Sequence, residues 1–104
     1  MGELARIPVD KVADGTAVRL DAGPDGVCLV RIGEKFLAIS DTCSHAQVSL
    51  SEGEVDPDEC SIECWKHGST FSLLDGRPQS LPATQPVRVY AVQVDGDEVV
   101  VSES

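Results

Sequence analysis

Turn-forming residues punctuate this chain at intervals too short for long helices. They are Asp14-Gly15, the Gly-Pro-Asp-Gly run from Gly23, Gly33-Glu34, Asp75-Gly76 and Asp95-Gly96, pairs that favour tight turns. Between them lie short alternating or β-branched runs: AVRLDA from Ala17, VCLVRI from Val27, KFLAIS from Lys35, CSIEC from Cys60, TFSLL from Thr70, VRVYAVQVD from Val87 and EVVVS from Glu98. Each reads as a strand. No stretch sustains a helical period, so the chain is predicted to be all-β, an antiparallel sandwich or small barrel and not a parallel α/β sheet. In VRVYAVQVD the apolar phase changes near Tyr90-Ala91, which predicts either a bulge or burial of both faces.

A chain of 104 residues suffices for one folding unit with its own core and is too short for two. Only Phe36, Trp65, Phe71 and Tyr90 are aromatic, leaving most of the packing to valine, leucine and isoleucine. Eighteen acidic residues against eight basic ones give a formal charge of −10, which repels phosphate backbones and disfavours nucleic-acid binding. From Asp41 to Glu63 there are seven carboxylates and no lysine or arginine. A partner docking near this segment is therefore expected to be basic. The opening MGELARIPVDKV lacks the apolar core of a secretory signal, and no run approaches a membrane span. The expected setting is the cytoplasm, without membrane attachment. In a reducing compartment, four cysteines suggest metal ligands, reactive thiols or small buried residues before disulfides.

Two of those cysteines stand beside the only two histidines. CSH begins at Cys43 and CWKH begins at Cys64, so that Cys43 and His45 form one pair and Cys64 and His67 the other, with 18 residues between them. Zinc accepts a Cys2His2 set and would make the chain a metal-stabilised interaction module, but its usual spacing pairs cysteine with cysteine and histidine with histidine. Here each pair is mixed. A two-iron cluster with unlike irons gives the mixture a reason: each loop clamps both irons by offering one ligand to each. Of the remaining cysteines, Cys28 lies in an apolar run and reads as a small buried residue. Cys60 has no matching histidine and reads as structural.

With its paired motifs CSH and CWKHGS, the intervening LSEG, the run FSLLDG from Phe71 and the segment LPA at Leu81, the chain resembles the Rieske-type [2Fe-2S] ferredoxins. The resemblance covers nearly its whole length. It implies a single Rieske domain over residues 1–104 whose cluster-binding part spans approximately 40–83 and consists of two loops. It further implies that Cys43 and Cys64 bind the inner iron, and His45 and His67 the outer, more exposed one. Histidine in place of cysteine at one iron raises the reduction potential. The oxidised cluster is then neutral, where four thiolates would leave it a dianion that accepts an electron less readily.

The residues flanking the ligands suggest a branch of the family. High-potential relatives carry an extra cysteine in each loop, joined as a disulfide; Val48 and Lys66 occupy those positions here. Those relatives also use a serine and a tyrosine after the second histidine as hydrogen-bond donors that stabilise the reduced cluster. Ser69 keeps the first donor and Phe71 removes the second. A potential in the lower part of the Rieske range, roughly −150 to +300 mV, follows. Trp65 replaces the proline common after the second cysteine, and three roles fit it: covering the cluster, contacting a partner, or packing beneath the loop. Gly53 and Gly68 are expected to permit a close approach or a tight turn near the site.

No nucleophile and base pair, nucleotide loop or spare histidine points to catalysis. The resemblance implies an electron carrier that takes electrons from a flavin-dependent ferredoxin reductase and delivers them to a terminal oxygenase, as in the ferredoxin components of ring-hydroxylating dioxygenase systems. A small Rieske subunit held within a larger redox enzyme is the other form this chemistry takes.

Overall fold

Val27, Cys28, Leu29 and Val30 are all fully buried, so the strand they form has no solvent face. The computed structural model describes residues 3–23, 26–42, 49–65, 68–79 and 86–103. Within them, strand β3 (Val27–Ile32) and strand β4 (Lys35–Ser40) form a hairpin around Gly33-Glu34, in register from Val27 opposite Ser40 to Ile32 opposite Lys35. Successive side chains of a strand point to opposite faces. Cys28, Val30 and Ile39 accordingly pack on one side with Leu50, Ile62, Cys64, Phe71, Leu73 and Val87. Val27, Leu29 and Ala38 pack on the other with Val12, Tyr90, Val99 and Val101. The hairpin is thus a shared wall between two apolar cores.

Around it the chain builds a six-stranded antiparallel sheet in the order β1-β9-β8-β4-β3-β2, curled as an open half-barrel. Its other members are β1 (Glu3–Pro8), β2 (Ala17–Leu20), β8 (Val89–Asp95) and β9 (Glu98–Glu103). A three-stranded antiparallel sheet, β5-β6-β7, is inserted between β4 and β8 and comprises β5 (Val55–Asp56), β6 (Ser61–Glu63) and β7 (Thr70–Ser72). The insertion begins and ends at one place, because the Ser40 N–H donates to the Arg88 carbonyl at 2.8 Å. Short 3-10 turns over Val9–Lys11 and Leu50–Glu52 complete the regular structure of the described residues. Among the described residues no helix is long and apolar enough to cross a membrane.

All seven runs read from the sequence contain strands, and the all-β expectation holds. Several ends differ. Strand β7 stops at Ser72, just beyond which the Leu73 N–H still bonds the Cys60 carbonyl at 2.9 Å, and the 72–77 segment closes on itself through bonds from Ser72 to Arg77 and from Gly76 to Ser72. Strand β8 starts at Val89 and not at Val87, whose N–H is used by the Gly76 carbonyl. The phase change in this run reflects burial of both faces: Val89 packs on the first core, while Tyr90 and Val92 belong to the second. Its pairing with β9 is continuous from Tyr90 to Asp95. Strands β1 and β5 lie outside the runs read from the sequence.

The β5–β6 hairpin turns through Pro57–Cys60, where Asp56 Oδ1 accepts the N–H groups of Asp58 and Glu59 at 3.1 and 3.3 Å. Cys60 closes the turn at φ 52°, alone among the described non-glycine residues in having a positive φ. The left-handed region costs such a residue roughly 1–2 kcal/mol, of which the greater freedom of an unfolded glycine would take back a part. Replacing Cys60 with glycine is therefore expected to stabilise the protein by about 0.5–1 kcal/mol, raising the midpoint of a thermal melt by roughly 2–8 °C. A lower midpoint would show that the Cys60 side chain contributes more through packing than its backbone loses.

Candidate metal centre

The first candidate ligand loop is held at its base by Asp41, the residue immediately after β4. Asp41 is buried, and a buried carboxylate needs polar partners to offset its lost hydration. Its Oδ1 accepts the Ser51 N–H at 2.9 Å, and its Oδ2 lies 3.6 Å from Arg19 Nε. Its backbone N–H donates to the Gly26 carbonyl at 3.1 Å, and its carbonyl accepts the Leu50 N–H at 2.5 Å. Thr42 and Ser49 then face each other as an isolated antiparallel bridge. The chain leaves β4 and returns through adjacent points, and these bonds offset the entropy of closing the loop. Cys43, His45 and Val48 fall within 43–48, outside the described residues.

The second loop leaves the end of β6. Cys64 is fully buried and belongs to the first core with Leu50, Ile62, Phe71 and Leu73. Its N–H donates to the Ser69 carbonyl at 2.6 Å, and its carbonyl accepts the Gly68 N–H at 2.9 Å. Gly68 has φ 75°, a left-handed conformation that glycine adopts without steric cost. Ser69 and Phe71 are fully buried, whereas Trp65 is 53% exposed and belongs to neither core. Lys66, His67 and the Leu81 segment lie outside the described residues.

Backbone contact sets these two loops side by side. The 3-10 turn Leu50–Glu52 ends at Gly53, whose φ of −84° is open to any residue. Glycine is needed there for space, because a Cβ would overlap the Glu63 carbonyl oxygen. Next to this contact the Glu63 N–H donates to the Glu54 carbonyl at 2.9 Å. The returning limb of the first loop therefore touches the residue preceding Cys64. Of the close approach and the tight turn expected of the two glycines, Gly53 provides the first and Gly68 the second. Among the described residues no three potential ligands converge, since Cys64 is the one described member of the Cys43, His45, Cys64, His67 set. A soft sulfur donor in apolar surroundings, with a second Cys/His loop anchored against the same strand, suits an iron–sulfur centre.

The model for the Rieske [2Fe-2S] domain matches residues 3–91. The chain belongs to the Rieske family. A Rieske domain binds a [2Fe-2S] cluster, which disfavours the zinc-stabilised module. This Rieske protein is 38% identical, over 99 residues, to the 3-phenylpropionate/cinnamic acid dioxygenase ferredoxin subunit of Escherichia coli strain K12, covering 95% of this chain and 92% of that one. Its fold matches the ferredoxin of carbazole 1,9a-dioxygenase from Nocardioides aromaticivorans IC177 with a TM-score of 0.93, at 35% identity and over 100% of both chains. It also matches a chain of the complex of reduced oxygenase and oxidized ferredoxin in carbazole 1,9a-dioxygenase, with a TM-score of 0.88 and 38% identity over 96% of this chain and 92% of that one.

Sequence reasoning passed over Asp41 as a structural anchor, counting it as one of seven acids available to a partner. Its burial beneath Arg19 and Ser51 withdraws it from the surface. The other six, Glu52, Glu54, Asp56, Asp58, Glu59 and Glu63, are exposed. Cys28 is buried as expected, and burial, reinforced by the nearby Asp41 charge, pushes its thiol well above the ordinary range. A thiol so disposed is a poor nucleophile and a poor metal ligand.

Proposed function

We propose that this Rieske protein is a one-electron carrier between a flavin-dependent ferredoxin reductase and the terminal oxygenase of a ring-hydroxylating dioxygenase system, working in the cytoplasm. The observation that carries this reading is the near end-to-end match to ferredoxin components of dioxygenases, with 92% or more of each relative's length covered. A [2Fe-2S] cluster, when bound, supplies a centre that gains and loses one electron. Cys43 and Cys64 hold its inner iron, and His45 and His67 the outer one. The domain comprises residues 1–104, with the cluster-binding part at approximately 40–83.

The chain's own residues tune and present that centre. Ser69, buried beside Cys64 in the turn, stands where the remaining hydroxyl donor of the family is placed. Phe71 fills the tyrosine position and is committed to the core, leaving that second donor absent. The six exposed acids of the 52–63 segment disfavour added negative charge and favour partners with basic docking surfaces, although salt screens them. These features support a potential in the lower part of the Rieske range.

Electron paramagnetic resonance of the dithionite-reduced protein tests the ligation: a low average g value is expected for mixed histidine and cysteine ligands, and a silent spectrum of iron-replete protein rejects it. Voltammetry tests the tuning. A midpoint above about +200 mV, near the top of the family range, is incompatible with the roles given to Phe71 and the acidic segment.

A further inference from the structure

Trp65 is the one tryptophan of the chain and is 53% exposed. Its indole joins neither core of the described residues. A large aromatic left half in water carries unused apolar surface. Its place is fixed by the bonds that close the 64–69 turn, from Cys64 to Ser69 and from Gly68 to Cys64. It is also covalently next to Cys64, the buried thiol assigned to the cluster.

A cleft of about 330 Å³ opens at the foot of the same turn, lined by Glu54, Asp56, Glu63 and Thr70 among others, with no basic side chain in its lining. Glu63 and Thr70 are opposite each other in the β6–β7 register, and the turn bearing Trp65 connects them. An exposed aromatic and an acidic recess thus belong to the same end of the β6–β7 hairpin. Their chemistry is complementary to a surface in which an arginine or lysine flanks an apolar depression, a combination in which tryptophan commonly dominates binding.

Building on the electron-delivery reading above, we infer that Trp65 is the anchoring contact for the terminal oxygenase, with the Glu54/Asp56/Glu63 cleft receiving a basic side chain of that partner. Docking there places the acceptor beside the residue that follows a cluster ligand. The oxygenase is chosen over the reductase because relatives of this chain are found in complex with an oxygenase.

The test compares reduced wild-type protein with the Trp65→Ala and Trp65→Phe variants as electron donors to oxidised Rieske-type terminal oxygenases. The first of these is the carbazole 1,9a-dioxygenase oxygenase of N. aromaticivorans. For the oxygenase that the wild type reduces, Trp65→Ala is expected to raise KM roughly thirtyfold, the size of a hot-spot truncation. Trp65→Phe should retain most of the affinity. The midpoint potential, the paramagnetic resonance spectrum and the rate of reduction by the reductase should not change. A KM within about twofold of wild type, a loss that follows a shifted potential, or a loss confined to the reductase overturns the assignment. Failure of a cluster-bearing wild type to reduce any oxygenase overturns the electron-delivery reading and removes this proposal with it, an outcome distinct from equal activity of the wild type and Trp65→Ala.

Discussion

Changing Gly53 to alanine is expected to cost the protein both stability and cluster. The backbone angles at Gly53 are ordinary, so the penalty is steric: the new methyl would overlap the Glu63 carbonyl oxygen. A flexible side chain could swing aside, but a strand carbonyl cannot. Relief requires moving the limb that returns from the first ligand loop away from β6, which breaks the bond from Glu63 to Glu54. Overpacking of this kind costs about 3 kcal/mol, a large share of the roughly 5–15 kcal/mol that holds a domain together. A thermal midpoint lowered on the order of 15 °C should accompany reduced iron content. Gly68→Ala is the informative contrast. Gly68 has positive φ, but a methyl added there would meet none of the described residues within 4 Å, so the change should cost about 1–2 kcal/mol and spare the iron. Equal melts for Gly53→Ala and the wild type would refute the backbone contact between the loops.

Cys64→Ser is expected to give a colourless protein whose iron and sulfide fall to background and whose reduced form is silent in paramagnetic resonance. Serine preserves size and removes the sulfur donor. It also places a hydroxyl among Leu50, Ile62, Phe71 and Leu73, where an unpaired polar group costs about 1–3 kcal/mol. Cys60→Ser provides the control. Cys60 lies four residues earlier, at the opposite end of β6 from Cys64, in the Pro57–Cys60 turn. Its variant should remain brown with full iron content. A brown Cys64→Ser protein, or a colourless Cys60→Ser one, would reverse the ligand assignment.

The contrast between those two cysteines shows what the sequence could and could not convey. Metal ligation requires particular side chains at short spacing, so the Cys43/His45 and Cys64/His67 pairs stand out as candidates without coordinates. The β3–β4 hairpin was equally legible, because two apolar runs of six residues flank a glycine turn and every pairing is local. Strand β1 was not. Its partner β9 lies at the far end of the chain, and its register shifts between Glu3 and Ala5, which spoils the period of two. Strand β5 has two residues, too few for any pattern. Asp41 was hidden for a different reason: acidity ordinarily marks surface, and only the folded chain brings Arg19 and Ser51 against it. Its position directly after the buried end of KFLAIS was the available signal. Trp65 was ambiguous because composition does not distinguish a core aromatic from an exposed one.

The abutting ends of the inserted sheet set a rule for exchanging cluster modules between relatives. With Ser40 and Arg88 hydrogen-bonded, a foreign segment could be spliced at this doorway without respacing β4 and β8. Compatibility would be decided one layer down, where the host's Cys28, Val30 and Ile39 meet the guest's Ile62, Phe71 and Leu73. A chimera must match volumes across that seam. Transplanting the four proposed ligands alone would deliver donors without the floor on which Cys64 rests.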